Sequence, residues 1–494
     1  MSNASSAVPS LPYANRFFIG GEWVTPSSDA VFHVVDSCSE EVFLEIAEAH
    51  AADMSRAVGA ARDAFDSGPW PLMSHAERAS YLRAIGDGLL ARSSDLAQLW
   101  PRESGVLYSI SKDAGKDGYD IFNYYASLAD TFAFAQPVTP TFGEFGLLVR
   151  EPVGVVGAII PWNSPMRLIG YKVAPALIAG CTAVLKSSPE APAEAYVLAE
   201  VAESVGLPPG VLNVVTADRD VSEQLVRDPR VDKITFTGST AAGRRIGAIC
   251  ADRVARCTLE LGGKSAAVIL DDIDIAKSAR TLARQECILT GQACSSLTRV
   301  IVTNKRHDEM VEALADELGR VLVGDPFSAE SQMGPLVSER QRAQVERYIA
   351  KGKADGARLA AGGGRPAHLD RGYYIEPTVF SHVDNSSVLA QEEIFGPVLS
   401  VIPAADEDHA IELANDTIYG LNASVFTGDL ERAAEIAGRL RSGTVGHNAF
   451  RTDFGIAFGG VKQSGIGREG GTEGLLPFLE TKTVILKGRP ASYQ

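Results

Sequence analysis

The most regular patterning lies between Pro152 and Leu261. V-G-V-V-G-A-I-I (153–160) is an apolar run rich in β-branched residues, which predicts a buried strand. Residues 167–179 read as a helix and T-A-V-L-K (182–186) as a second strand. E-A-P-A-E-A-Y-V-L-A-E-V-A-E-S-V (190–205) reads as a helix that Gly206 ends. V-L-N-V-V (211–215), D-K-I-T-F (232–236) and R-C-T-L-E-L (256–261) supply three more strands. A short helix follows the third strand, and T-A-A-G-R-R-I-G-A-I-C-A (240–251) is a helix after the fourth. Strands alternating with helices of this length predict βαβ units and a parallel, doubly wound α/β sheet. Such sheets bind ligands beyond the C-terminal ends of their strands.

A second alternation begins at S-A-A-V-I-L (265–270) and runs to about Phe426. It includes a helix at 274–289, a strand at 298–302 and a helix at 307–320, which predicts a second α/β domain. The stretch 345–375, rich in Gly, Lys and Arg, reads as surface loop and helix. F-L-E-T-K-T-V-I-L-K (478–487) stands alone as a strand. An isolated strand with an apolar face adds to some sheet, and a partner subunit is one candidate for it.

At 494 residues the chain calls for two or three domains. Its formal net charge of -16 repels phosphate backbones and anionic lipid, arguing against nucleic-acid and membrane partners. The six cysteines form no C-x-x-C pair and the eight histidines no H-x-x-x-H spacing, so no metal site is expected. So few cysteines point to a reducing compartment. The N-terminal M-S-N-A-S-S-A-V-P-S lacks the features of a secretory signal, and no apolar run reaches membrane-spanning length. The expected location is the cytoplasm.

Four stretches carry candidate chemistry. T-G-Q-A-C-S-S (290–296) holds Cys294, a nucleophile if it is accessible and its adduct is stabilised, and packing filler otherwise. P-W-N-S-P (161–165) places Asn163 just after a buried strand, where its amide can donate to an oxyanion or simply make a turn. L-E-L-G-G-K (259–264) places Glu260 at a strand end, as a general base or a solvated carboxylate. F-T-G-S (236–239) opens a helix and can bring backbone N–H groups to a pyrophosphate.

Together with G-Q-x-C and E-E-I-F-G-P-V (392–398), these motifs stand in the order and spacing of the NAD(P)-dependent aldehyde dehydrogenase family, which the chain resembles over nearly its whole length. G-D-P (324–326), M-G-P-L-V (333–337), E-P-T-V (376–379), A-N-D-T-I-Y-G-L (414–421) and F-G-G-V-K-Q-S-G-I-G-R-E (458–469) extend the resemblance.

The resemblance implies that Cys294 attacks an aldehyde to give a thiohemiacetal, whose oxyanion is held by Asn163 and the Cys294 backbone N–H. Hydride transfer then gives a thioester, which water activated by Glu260 hydrolyses to the free acid. It assigns the cofactor to Trp162, Lys186, Gly238, Ser239, Glu393 and Phe395. It implies a Rossmann-like cofactor domain (1–128 and 152–262), a catalytic domain (263–465) and a small β oligomerisation element (129–151 and 475–494). A homo-oligomer, dimer or tetramer, follows.

Three departures from the family pattern bear on specificity. K-S-S-P-E (186–190) puts Pro189 where the family commonly has the ribose-binding Glu, with Glu190 one step late. The expected cofactor is therefore NAD, with tolerance of NADP. The loop T-A-D-R-D (216–220) lacks the usual glycines, and Arg219 is either a phosphate contact or a solvated charge. Before the nucleophile, Ile288 and Leu289 replace the usual aromatic and Asn.

With Met166, Arg167, Phe450, Phe454 and Phe458, Ile288 and Leu289 make up the expected substrate pocket. This fits an aromatic, terpenoid or medium-chain aldehyde. An inward Arg167 would instead suit a semialdehyde acid. Cys287 is either a partner for a regulatory disulfide with Cys294 or a packing residue. The rival functions are a cysteine hydrolase, which leaves F-T-G-S and E-E-I-F-G-P-V unexplained, and a non-catalytic protein of the same fold.

Overall fold

The computed structural model describes residues 8–491. The start of the N-terminal stretch read above as lacking a secretory signal, and the last three residues, lie outside that range.

The first sheet has eight strands. Their spatial order is Gly465–Ile466, Arg256–Glu260, Lys233–Thr237, Val155–Ile159, Thr182–Ser187, Leu212–Thr216, Phe17–Ile19 and Glu22–Val24. The five strands from 155 to 260 are mutually parallel, as the alternating pattern predicts. Strand neighbours point to opposite faces. Val155 and Ile159 pack under the helices Ala51–Asp66 and Thr240–Asp252, whereas Val156 and Ala158 pack under His75–Ala91, Ala114–Thr131 and Pro165–Ala179. Burial on both faces explains why these strands are apolar without interruption.

The second sheet has the order Arg358–Ala361, Thr378–Ser381, Val398–Ala404, Arg299–Thr303, Ala266–Ile269, Asn422–Phe426 and Thr444–His447. Helices Ile275–Cys287 and His307–Gly319 cover one face; Glu339–Ala354, Glu407–Asn415 and Leu430–Arg439 cover the other. Two expectations need correction. The alternation continues past Phe426 to Thr444–His447, and the stretch 345–375 contributes the antiparallel edge strand Arg358–Ala361. Edge strands bury one face only, so their apolar signal is weak.

The isolated strand Leu479–Leu486 finds a sheet within its own chain. It pairs antiparallel with Phe145–Pro152 over its full length, and Ala135–Val138 completes a three-stranded sheet.

Candidate active site

Cys294 sits on a turn that departs from ordinary backbone. After helix Ile275–Cys287, Leu289, Thr290 and Gly291 take φ values of 53, 55 and 69°. For Leu and β-branched Thr this conformation costs about 1–3 kcal/mol each and persists only where the surroundings impose it. Here the Thr290 hydroxyl donates to the Gly334 carbonyl (3.0 Å). Gln292, the Gln of G-Q-x-C, is a buried clamp: its amide donates to the Leu289 carbonyl (3.0 Å) and accepts from the Val337 N–H (3.0 Å). On the far side Asn422 donates to the Ser295 carbonyl (3.0 Å).

Cys294 itself is half-buried. Burial first, then the Glu393 and Glu260 carboxyls, push its thiol well above the usual range, opposed by the backbone N–H groups of Cys294 and Ser295.

Asn163 follows strand Val155–Ile159 and precedes helix Pro165–Ala179. Its Nδ2 donates to the Gln292 carbonyl at 3.0 Å, two residues from Cys294. An amide carries two N–H groups, so one remains for an oxygen developing at Cys294.

Glu260 ends strand Arg256–Glu260 and is 2% exposed. Neither of its carboxylate oxygens has a hydrogen-bond partner among the described residues. Gly459 leaves it room: with φ of +144°, a Cβ there would lie 2.5 Å from Glu260 Oε1. Burial and the Glu469 carboxylate push the Glu260 carboxyl well above its ordinary range, against Lys172 and Arg468. Glu469 is ion-paired with buried Lys172, which also donates to the Thr237 hydroxyl (2.6 Å).

Neither Lys172 nor Glu469 was anticipated from the sequence. The available signal was Lys172 as the one charge in L-I-G-Y-K-V-A-P-A-L-I-A (168–179), since a buried cation requires a partner.

The two glycines of L-E-L-G-G-K permit close approach. A Cβ on Gly262 would lie 2.2 Å from Glu393 Oε2, and one on Gly263 would lie 2.3 Å from the Cys294 carbonyl. Ser464 ties this loop to the late chain: its hydroxyl donates to the Gly262 carbonyl (2.7 Å) and its carbonyl accepts from Leu261 N–H (2.9 Å).

The residues that the resemblance assigns to a dinucleotide carry the groups one requires. Lys186 is buried near the end of strand Thr182–Ser187, and its ammonium makes no hydrogen bond among the described residues; burial lowers its pKa to about 8, against Glu190 and Asp218. Gly238 and Ser239 open the 13-residue helix Thr240–Asp252. Glu393 accepts from Gly263 N–H (3.2 Å) and burial pushes its carboxyl up to about 7. Trp162 and Phe395 meet edge to face, 5.4 Å apart. A free ammonium, a carboxylate, a helix start and two rings beyond the C-terminal strand ends suit ribose hydroxyls, a pyrophosphate and an aromatic base. The late Glu190 is already engaged by Arg340 (2.7 Å) and Ser188, and Arg219 is exposed.

The expected substrate residues separate into three groups. Phe454 stacks between Tyr171 (4.3 Å) and Phe458 (4.2 Å). Arg167 is exposed and paired with Asp117 at 2.7 Å. Met166 turns into the core against the first sheet, where a Cβ on Gly118 would touch its sulfur. Leu289 packs against that same core, Phe450 against the core of the second sheet, and Ile288 is exposed. Cys287 is buried among apolar side chains, which push its thiol up to about 12.

Residues 23–484 match the model of the aldehyde dehydrogenase family. The chain is 43% identical to geranial dehydrogenase of Castellaniella defragrans over 96% of its own length and 99% of that protein's. It is 41% identical to a 3-succinoylsemialdehyde-pyridine dehydrogenase of Pseudomonas, covering 95% and 98%. Among solved structures, Mycobacterium tuberculosis aldehyde dehydrogenase complexed with NAD+ superposes with a TM-score of 0.93 at 44% identity, covering 97% and 99%. A cysteine-to-alanine variant of Pseudomonas syringae aldehyde dehydrogenase C, complexed with NAD+ and octanal, superposes at 0.94 with 38% identity, covering 99% of each chain. The chain belongs to the aldehyde dehydrogenase family.

Proposed function

We propose that this aldehyde dehydrogenase converts a hydrophobic aldehyde to its carboxylic acid through a covalent adduct on Cys294, using NAD. The observation that carries the reading is convergence: Asn163 donates to the Gln292 carbonyl of the Cys294 turn, and the loop that follows Glu260 closes on the Cys294 carbonyl at Gly263. The Cys294 thiolate attacks the carbonyl carbon; a C–S bond forms and the carbonyl pair moves to oxygen. The second Asn163 N–H and the Cys294 backbone N–H hold that oxyanion. NAD, held by Trp162, Lys186, Gly238, Ser239, Glu393 and Phe395, supplies the hydride acceptor when bound. The adduct, once its hydride is lost, is a thioester on Cys294. Glu260 takes a proton from the water that attacks it; the C–S bond breaks, the acid leaves and the Cys294 thiolate is restored.

Phe458 adjoins Gly459, which lies against Glu260, so the Tyr171–Phe454–Phe458 stack would give the approach an apolar wall, which supports an aromatic, terpenoid or medium-chain substrate. Arg167 has its charge answered by Asp117, which weighs against a semialdehyde acid. The three-stranded sheet supports assembly into a dimer or tetramer: Leu479–Leu486 is an edge strand with open backbone groups and an exposed Ile485.

The test is NADH formation over benzaldehydes, terpenoid, linear and semialdehyde-acid substrates, each with NAD and NADP. Preference for apolar aldehydes with NAD, and measurable turnover with NADP, is expected because Glu190 is held by Arg340. Preference for semialdehyde acids, or for NADP, overturns the corresponding part.

A further inference from the structure

An ion pair links the helices of the second sheet to the cofactor end of the first. Glu190 lies just past strand Thr182–Ser187, which carries Lys186, and Arg340 is the second residue of helix Glu339–Ala354, which covers the second sheet. Arg340 Nη2 donates to Glu190 Oε1 at 2.7 Å, and the other Glu190 oxygen accepts from the Ser188 hydroxyl. The next residue of the helix, Gln341, donates to the Phe395 carbonyl at 2.7 Å, which fixes the helix beside the dinucleotide residues. The Glu190 side chain is 25% exposed and that of Arg340 74%. The carboxylate is therefore held in place, while the guanidinium can leave it. In doubly wound sheets an acidic residue of this kind takes the ribose 2′-hydroxyl of NAD, and a nearby arginine accommodates the 2′-phosphate of NADP. Here the two stand side by side, from different sheets. A phosphate monoester carries about -1.5 to -2 charges and takes a guanidinium through two parallel bonds, so it competes well with one carboxylate oxygen.

We propose that Arg340 is a specificity-determining residue for the cofactor: it answers Glu190 when NAD is bound and turns from Glu190 to the 2′-phosphate when NADP is bound. The inference rests on the cofactor site proposed above and adds to it a residue from the helices of the second sheet. Selectivity at the adenosine end is then set by a side chain 150 positions away from the carboxylate it pairs with.

The test is binding to the full-length protein without aldehyde. NADH and NADPH are titrated by fluorescence. Adenosine 5′-monophosphate and adenosine 2′,5′-bisphosphate, which differ only in the 2′-phosphate, are titrated by calorimetry. Arg340→Gln should weaken NADPH and the bisphosphate by about tenfold, a charge-assisted bond to phosphate less the exposed pair given up for it, without weakening NADH or the monophosphate. Glu190→Gln removes the competing carboxylate and should tighten NADPH by about threefold. In a crystal of the NADPH complex the Arg340 guanidinium should lie on the 2′-phosphate. Equal losses for both members of either pair, unchanged NADPH binding in Arg340→Gln, or Arg340 still on Glu190 with NADPH bound would overturn the proposal. Failure of the wild-type protein to bind NADH or NADPH at all would remove the proposed cofactor site itself, and this proposal with it.

Discussion

The Asn163 amide and the Gln292 carbonyl, 3.0 Å apart, join the two sheets at the nucleophile. In the proposed reaction the oxyanion donor comes from the first sheet and the reacting sulfur from the second. Asn163→Ala should therefore lower kcat/KM by about 10²–10³, the effect of losing one oxyanion donor. NAD binding, followed by fluorescence titration, should stay near wild type. A loss confined to NAD affinity would place Asn163 on the cofactor instead.

In the proposed reaction Glu260 acts on water rather than on the aldehyde. Glu260→Gln should release about one NADH per site in a burst and then turn over roughly 10²–10⁴ times more slowly, the range for loss of a general base. Intact-protein mass spectrometry should find the acyl group on Cys294. Absence of the burst would contradict the assignment.

The Lys172–Glu469 pair is expected to set the pH at which Glu260 works as a base. The Glu469 charge keeps the proton on Glu260, so its removal favours ionised Glu260. Freed Lys172 acts in the same direction. In Glu469→Gln the ascending limb of the pH–kcat profile should therefore move to lower pH. Breaking a buried ion pair costs about 3–5 kcal/mol, so Tm should fall as well. An unmoved limb would separate the pair from Glu260.

Phe454 is the middle ring of the aromatic stack. Phe454→Ala should raise KM for long or cyclic aldehydes by roughly tenfold, about 1.4 kcal/mol, and leave acetaldehyde little changed. Arg167→Gln should change neither class by as much as twofold, about 0.4 kcal/mol. A selective loss of semialdehyde-acid turnover in Arg167→Gln would return that arginine to the substrate.

The amino-acid pattern determines the layered α/β fold because its signals are local. Val155–Ile159, Thr182–Ser187 and Leu212–Thr216 are buried on both faces, and apolar runs between helices say so without reference to the rest of the chain. Cys294, Glu260 and Asn163 likewise stand in short motifs, so they could be nominated by position. Their assembly could not. The Asn163–Gln292 and Lys172–Glu469 contacts span 129 and 297 positions and arise only from strand order and the return of residues 458–469 to the first sheet. The same holds for the sheet that takes up Leu479–Leu486, the Asp117 that answers Arg167, and the Arg340 that engages Glu190. A side chain's partner is set by which surfaces pack together, and packing is a property of the whole chain that no local pattern encodes.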